Sequence, residues 1–274
     1  MRISAGLEAG QPKVPLISLW GAVPGLVLAG VLGAVFGGVV AGQIVPQPLG
    51  PPVLTAPSTE RLTFGVEWRL IRAGVVTAEM RADWSHLKLD SAGLVSKLYK
   101  IDDAYAVSFQ DGYCATVSVF DSKEGKRHHE TRVQYDRAQN HAYYTERDLI
   151  ANSLIRSEDV AVPHCAHDPV GALLTLRGAS VEPGRTLEVP VSDGRKFANV
   201  KLAAQEREEI RTPLGTFKTI RFEVPMLNGI VYSRRGRVFI WLTDDARHLP
   251  VQIQLRMSFP IGTVTLDLEK EEHF

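Results

Sequence analysis

Arg61-Leu62-Thr63-Phe64-Gly65-Val66-Glu67-Trp68-Arg69-Leu70 is the stretch from which the fold can be read. Apolar side chains fall at Leu62, Phe64, Val66, Trp68 and Leu70, while Arg61, Thr63, Glu67 and Arg69 occupy positions between them. A period of two sends alternate side chains to opposite faces, so the stretch predicts a strand with one buried side. Ala73-Gly74 interrupts the pattern. Val76, Ala78, Met80, Ala82 and Trp84 then resume it against Thr77, Glu79, Arg81 and Asp83. Two such runs around a short glycine-containing break predict a hairpin.

Similar runs recur at 103–109, 113–120, 129–136, 141–146, 185–191, 195–208, 216–224, 236–242, 250–258 and 261–269. Ser192-Asp193-Gly194-Arg195 is a strong Asp-Gly hairpin signal. Thr212-Pro213-Leu214-Gly215 is a second turn, with proline pre-set for its first central position and glycine closing it. Strands at this spacing predict a mainly β fold, a single antiparallel β-barrel, half-barrel or sandwich-like domain.

One short helix interrupts the strands. Asp168 suits its N-cap, Pro169 its first turn and Gly178 its end. Val170, Leu173, Leu174 and Arg177 share one face at the i, i+3, i+4, i+7 spacing. Ten residues are too few for a helix to stand alone in water, so this one must pack on the sheet. Val170, Leu173 and Leu174 are therefore either an ordinary packing face or the underside of a lid over a ligand cavity.

Upstream of the β region, no charged residue lies between Lys13 and Glu60, and residues 14–45 are dominated by apolar side chains. Such a run exceeds the roughly 20 apolar residues needed to cross a bilayer. Arg2 and Lys13 precede it and no Lys or Arg follows until Arg61, which favours a cytoplasmic N-terminus at 1–13. Either a retained transmembrane anchor or a cleaved signal segment, cut near Val39-Val40-Ala41, fits 14–45. Glycines at 33, 37, 38 and 42 have the spacing of close-packed membrane helix pairs. Pro46, Pro48, Pro51, Pro52 and Pro57 make 46–59 an extended linker, and 60–274 becomes an exported β domain facing the periplasm, tethered to the inner membrane or released from it. Thirty-one basic and 31 acidic residues balance, which excludes a nucleic-acid-binding field. The basic cluster Lys126-Arg127-His128-His129, bracketed by Glu124 and Glu130, reads as a solvated hairpin tip.

In order along the chain, five motifs resemble the domain-of-unknown-function 3108 family. They are Glu60 to Phe64 leading to Ala73-Gly74, Ala166-His167-Asp168-Pro169, and Thr212-Pro213-Leu214-Gly215-Thr216-Phe217, then Trp241-Leu242-Thr243-Asp244-Asp245 with Leu249-Pro250-Val251, and Pro260-Ile261-Gly262 to Leu266. The resemblance spans about 60–269. It implies an exported or anchored envelope protein of a Gram-negative bacterium with a β-rich fold, and no established activity. His164-Cys165 departs from the small residues the family pattern suggests there. Asp168, Pro169, Pro213, Gly215, Thr216, Phe217, Trp241, Asp244, Asp245 and Pro250 carry the resemblance as turn and cap residues of structural role.

Catalytic chemistry has few candidates. Asp244, Asp245 and His248 put two carboxylates and an imidazole within five residues, but after a strand and before Pro250, where aspartates bond their own backbone. His164, Cys165 and His167 form the one metal-like cluster, without a fourth ligand. No phosphate loop, dinucleotide fingerprint or nucleophile elbow occurs, so no catalytic residue and no cofactor or metal is expected. Cys114 and Cys165 form either a disulfide or two separate thiols. Three function classes remain open: a binder of a lipid or other apolar envelope ligand, a scaffold for another envelope protein, and a hydrolase using the 244–248 turn. An apolar cavity under 168–177 would favour the first, and a packed interior the second.

Overall fold

The computed structural model describes residues 59–225, 236–257 and 262–274. The expected membrane segment at 14–45 and all of the linker but Thr59 lie outside the described residues. Strands follow the alternating runs: β1 (Glu60–Trp68), β2 (Ile71–Met80), β3 (Trp84–Ser91), β4 (Ile101–Gln110), β5 (Cys114–Glu124), β6 (Arg127–Asp136), β7 (His141–Asp148) and β8 (Ser153–Ala161). After helix α2 (Pro169–Gly178) come β9 (Thr186–Ser192), β10 (Phe197–Thr212), β11 (Gly215–Pro225), β12 (Gly236–Thr243), β13 (Pro250–Met257) and β14 (Thr263–His273). A short helix α1 (Gly93–Leu98) and a 3-10 turn (Asp111–Tyr113) sit in the β3–β4 and β4–β5 connections.

All 14 strands form one antiparallel sheet in the order β8 to β1, then β14 to β9. Each hairpin pairs sequence neighbours, and β1 closes the two halves by pairing with β14 from Glu60↔His273 to Trp68↔Val264. The flanks β8 and β9 do not pair with each other. The sheet nevertheless rolls up, because Tyr135 of β6 donates its hydroxyl to Ser192 O of β9 at 3.1 Å. The β9–β10 turn also presses on β6: a Cβ at Gly194 would come within 2.6 Å of Val133, and Gly194 has φ +84. Both the space and the left-handed backbone require glycine there. The result is an open, barrel-like roll, within the fold class that the alternation predicts.

The first hairpin corrects one sequence expectation. Its turn is Arg69-Leu70, whereas Ala73-Gly74 lies inside β2. A register shift between Val66 and Glu67 brings Val66 opposite Gly74. There a Cβ would meet the Asp90 carbonyl oxygen at 2.6 Å. Gly74 thus serves close strand approach and not a turn. Arg69 and Leu70 carry the turn with φ of +50 and +66, a conformation that favours Asn-Gly. Trp84 opens β3 and does not end β2.

Two large apolar clusters fill the roll. One joins Leu62, Phe64, Val107, Phe109, Val133, Tyr135 and Leu268 to Phe239 and Trp241. The other joins Val189, Val191, Val200, Leu202, Ile220 and Phe222 to Ile240 and Leu242. β12 is therefore buried on both faces, and α2 bridges the clusters: Val170 and Leu174 enter the first, Ala172 and Leu176 the second.

Candidate functional site: the helix-closed seam

The gap between the flanks β8 and β9 is crossed by residues 162–168 and by α2, and the chain's unusual chemistry collects there. Cys165 in this strap is bridged to Cys114 at the start of β5, with α-carbons 4.9 Å apart. Beside the bridge, Ala115 N donates to Ala166 O at 2.9 Å. His167 forms a parallel bridge with Val191: its N donates to Pro190 O and its O accepts from Ser192 N, each at 2.9 Å. The strap thus ties β5 to β9. Arg137 braces it, donating Nε to His164 O at 3.1 Å and approaching His164 Nε2 at 3.0 Å.

His167 is buried, with Nδ1 2.9 Å from Tyr113 O. Burial lowers its pKa, outweighing that hydrogen bond. Asp168, with no exposed surface, caps α2 by accepting from Gly171 N at 2.8 Å and Val170 N at 3.1 Å. It also accepts the Tyr105 hydroxyl at 2.7 Å. Desolvation raises its carboxyl pKa, and those three donors restrain the rise. At the far end of α2, Arg177 donates two bonds to Glu60, 2.6 and 3.0 Å, and a third from Nε to His248 O. The helix is pinned at both ends.

Near the start of α2, Tyr105, Tyr135, Tyr144, Asp193 and Arg195 line a cavity of about 40 Å³. Water needs some 10–15 Å³ measured in this way, so the space suits a few waters and not an acyl chain. Tyr144 donates its hydroxyl to Glu146 at 3.1 Å, and burial pushes its pKa up to about 12. Arg195 lies over the Tyr144 ring at 5.4 Å and bonds Asp193 at 3.1 Å.

The supposed lid face divides between two cores. Val170 and Leu174 are buried in the first, whereas Leu173 packs against the second. The cause is that α2 is covered on more than one side, a setting the i, i+3, i+4 pattern alone does not distinguish from a one-sided face. Asp244, Asp245 and His248 occupy the β12–β13 turn and their groups diverge. Asp244 accepts from Arg207 at 2.7 Å, Asp245 from Thr243 Oγ1 at 2.7 Å and Arg247 N at 3.0 Å, and His248 Nδ1 lies 2.7 Å from Arg177 O. Burial alone would raise the Asp245 pKa, but those two bonds and the Arg247 charge bring it below the usual value. Pro250 begins β13 and Trp241 is buried in β12; Pro213 lies in the β10–β11 turn, with Gly215, Thr216 and Phe217 opening β11. In the metal-like cluster, Cys165 is consumed by the disulfide and His164 by Arg137. A different trio, Glu60, Glu271 and His273, comes together across β1 and β14. Arg177 and Arg247 already bind its two carboxylates. Sequence reasoning missed the roles of Tyr105, Glu60 and Arg195, whose contacts with Asp168, Arg177 and Tyr144 join residues far apart in the chain.

Comparison with known proteins is informative about the fold. A β-barrel-like protein of the domain of unknown function DUF1849 from Brucella abortus has a solved structure that superposes with a TM-score of 0.55 at 7% identity, covering 80% of this chain and 99% of that one. Weaker likenesses are to a DUF1089 family protein from Pseudomonas aeruginosa (TM-score 0.37, 12% identity, 67% and 90% covered) and a putative lipoprotein from Parabacteroides distasonis (0.30, 9%, 82% and 100%). No curated protein matches the sequence. The family model described as "Protein of unknown function (DUF3108)" matches residues 63–269, and the chain belongs to that family.

Proposed function

We propose that this chain is an envelope scaffold: a β-barrel-like module, held to the inner membrane by 14–45 and facing the periplasm, that binds another envelope protein along the open edge of β8. The observation that carries the reading is the packing around α2: the cavity described there, about 40 Å³, is far below the 300–1,000 Å³ of a typical ligand pocket, and the roomier described cleft, about 430 Å³ beside Gln110, Gln134 and Arg137, is open to the outside. Binding therefore moves to the outside. β8 offers nine residues whose outer main-chain groups have no neighbouring strand among the described residues, the arrangement that extended segments of partner proteins complete. The Cys114–Cys165 disulfide supports an oxidising compartment, in keeping with export. Lipid carriage is the reading it displaces, and the 244–248 turn offers a hydrolase no convergent groups.

A photo-crosslinking amino acid placed at Ser157, exposed on β8, tests the proposal in cells. A discrete protein adduct that is missing when the crosslinker sits at Ala82 is the expected result. Absence of any adduct, or stoichiometric lipid in solvent extracts of the purified chain, would overturn it.

A further inference from the structure

In an up-and-down meander, alternate connections emerge on the same rim of the sheet. The β1–β2 turn, α1, the β5–β6 turn and the β7–β8 turn are four such connections, and backbone bonds link them in part: Ala92 N to Ala73 O, Gly125 N to Lys100 O, Leu149 N to His128 O. This rim carries Leu70 at 92% exposure, Leu98 at 73%, Ile150 at 67% and Leu94 at 59%, with Leu154, Ile71 and Ile155 beside them at 57, 51 and 45%. These are seven of the eleven large hydrophobic side chains that the described residues expose. Isolated exposed apolar residues need no explanation, but a run of them on one rim does.

The charge on the rim has one sign left over. Lys97, Lys100, Lys126 and Arg127 are exposed, and among the described residues none of them forms a salt bridge. Acidic groups nearby are engaged: Asp90 and Asp102 with Lys88, Glu269 with Arg72, and Asp148 with the amides of Ile150 and Ala151. Arg69 and Leu70 hold left-handed backbone, φ +50 and +66, that side chains other than glycine and asparagine adopt at a cost. That cost presents the most exposed leucine among the described residues at the rim's tip.

We propose that this rim docks on the surface of an anionic phospholipid bilayer, with Leu70, Leu94, Leu98 and Ile150 entering the headgroup–acyl boundary while Lys97, Lys100, Lys126 and Arg127 meet lipid phosphates. Apolar side chains on turn tips flanked by unpaired cations are the chemistry of interfacial membrane binding. Adjacent strands stand about 4.8 Å apart, so four alternate connections span roughly 30 Å, a footprint for shallow contact with many lipids. The linker enters at Glu60, at the opposite end of β1. Fourteen extended residues reach about 40 Å against about 30 Å for the strand, so the rim can bend back to the membrane that holds the tether. This surface meets the β8 edge only at Leu154 and Ile155, and stands whether or not a protein partner binds along the rest of that edge.

The test uses the full-length chain in nanodiscs of deuterated phosphatidylcholine and phosphatidylglycerol, mixed with undeuterated vesicles of the same composition. A photo-crosslinker at position 70 should yield lipid adducts at least five-fold above one at position 82, on the opposite rim, and the adduct mass reports which membrane is touched. Replacing Lys97, Lys100, Lys126 and Arg127 by glutamine should cut the yield several-fold, as should omitting phosphatidylglycerol. Arg69→Asn with Leu70→Gly suits the turn better than the native pair, so crosslinking at position 94 should fall in that variant without loss of fold. Equal adducts at 70 and 82, indifference to anionic lipid, or adducts from position 70 only to protein in cells, this chain included, would overturn the proposal.

Discussion

Replacing Asp168 with alanine strips two amide bonds from the start of α2 and removes the charged acceptor of the buried Tyr105 hydroxyl. Loss of a cap costs about 1 kcal/mol and loss of a hydrogen bond to a charged acceptor about 1.5–3 more, so Asp168→Ala should lower stability by roughly 2–4 kcal/mol in urea unfolding. Tyr105→Phe should cost less, because Asp168 keeps its amide donors. Glu124 gives a pH-dependent case. Burial, then the charge of Asp103, lifts its pKa from 4.5 to about 7. The folded state thus binds this proton more tightly than the unfolded chain does, and the stabilisation is present below pH 4.5 and lost as pH rises through 7. Glu124→Gln should therefore exceed the native protein in stability at pH 8, by at most about 3 kcal/mol, and lose that advantage at pH 4, as thermal melts across that range would show. The sequence discloses Asp168 as a cap because capping is local. It does not disclose Tyr105, 63 residues away, and it presents Glu124 as one charge in a polar tip although the tertiary roll buries it.

Elements repeat this division between local and distant causes. The strands were legible because burial on one face leaves a period of two, and Asp193-Gly194 and Pro213-Gly215 announce their turns chemically. The first turn was not legible, since Gly74 is needed for a neighbouring backbone and the turn residues Arg69-Leu70 carry no turn signal. Their replacement by Asn-Gly should raise stability by about 1–2 kcal/mol in equilibrium unfolding, by relieving left-handed strain. The strap depends on its disulfide in a similar measurable way. Cys114 and Cys165 lie 51 residues apart, and cross-linking a loop of that length contributes about 4 kcal/mol in the chain-entropy account. The Cys114→Ser, Cys165→Ser double variant should lose about that much. Hydrogen exchange should rise first in 162–178, because α2 keeps its Arg177–Glu60 attachment but loses its fixed entry. Spacing alone left the two thiols either paired or apart, because nothing local places the start of β5 beside the strap.

At the scale of the molecule, alternation foretold a mainly β roll, while its closure had no local sign. The β1–β14 pairing joins the two ends of the described domain. The rolling of β6 onto the β9–β10 turn depends on Tyr135, Val133 and Gly194 meeting across the sheet. The cavity that would have favoured a lipid lining is, among the described residues at α2, a space for a few waters. Both proposed roles correspondingly lie on surfaces: an edge on β8 and a leucine-studded rim with exposed cations.

The asymmetry of the two flanks has a consequence for self-association. On β9, Pro190 has no amide hydrogen, and the Pro190 carbonyl and Ser192 amide are already bonded to His167. Growth by adding one molecule's free edge to the next molecule's other edge is thus blocked. Two molecules could meet only through β8 against β8, which terminates at a pair. A mutation that unseats the strap would free the Pro190 carbonyl and the Ser192 amide, leaving Pro190 alone to oppose open-ended growth into fibres.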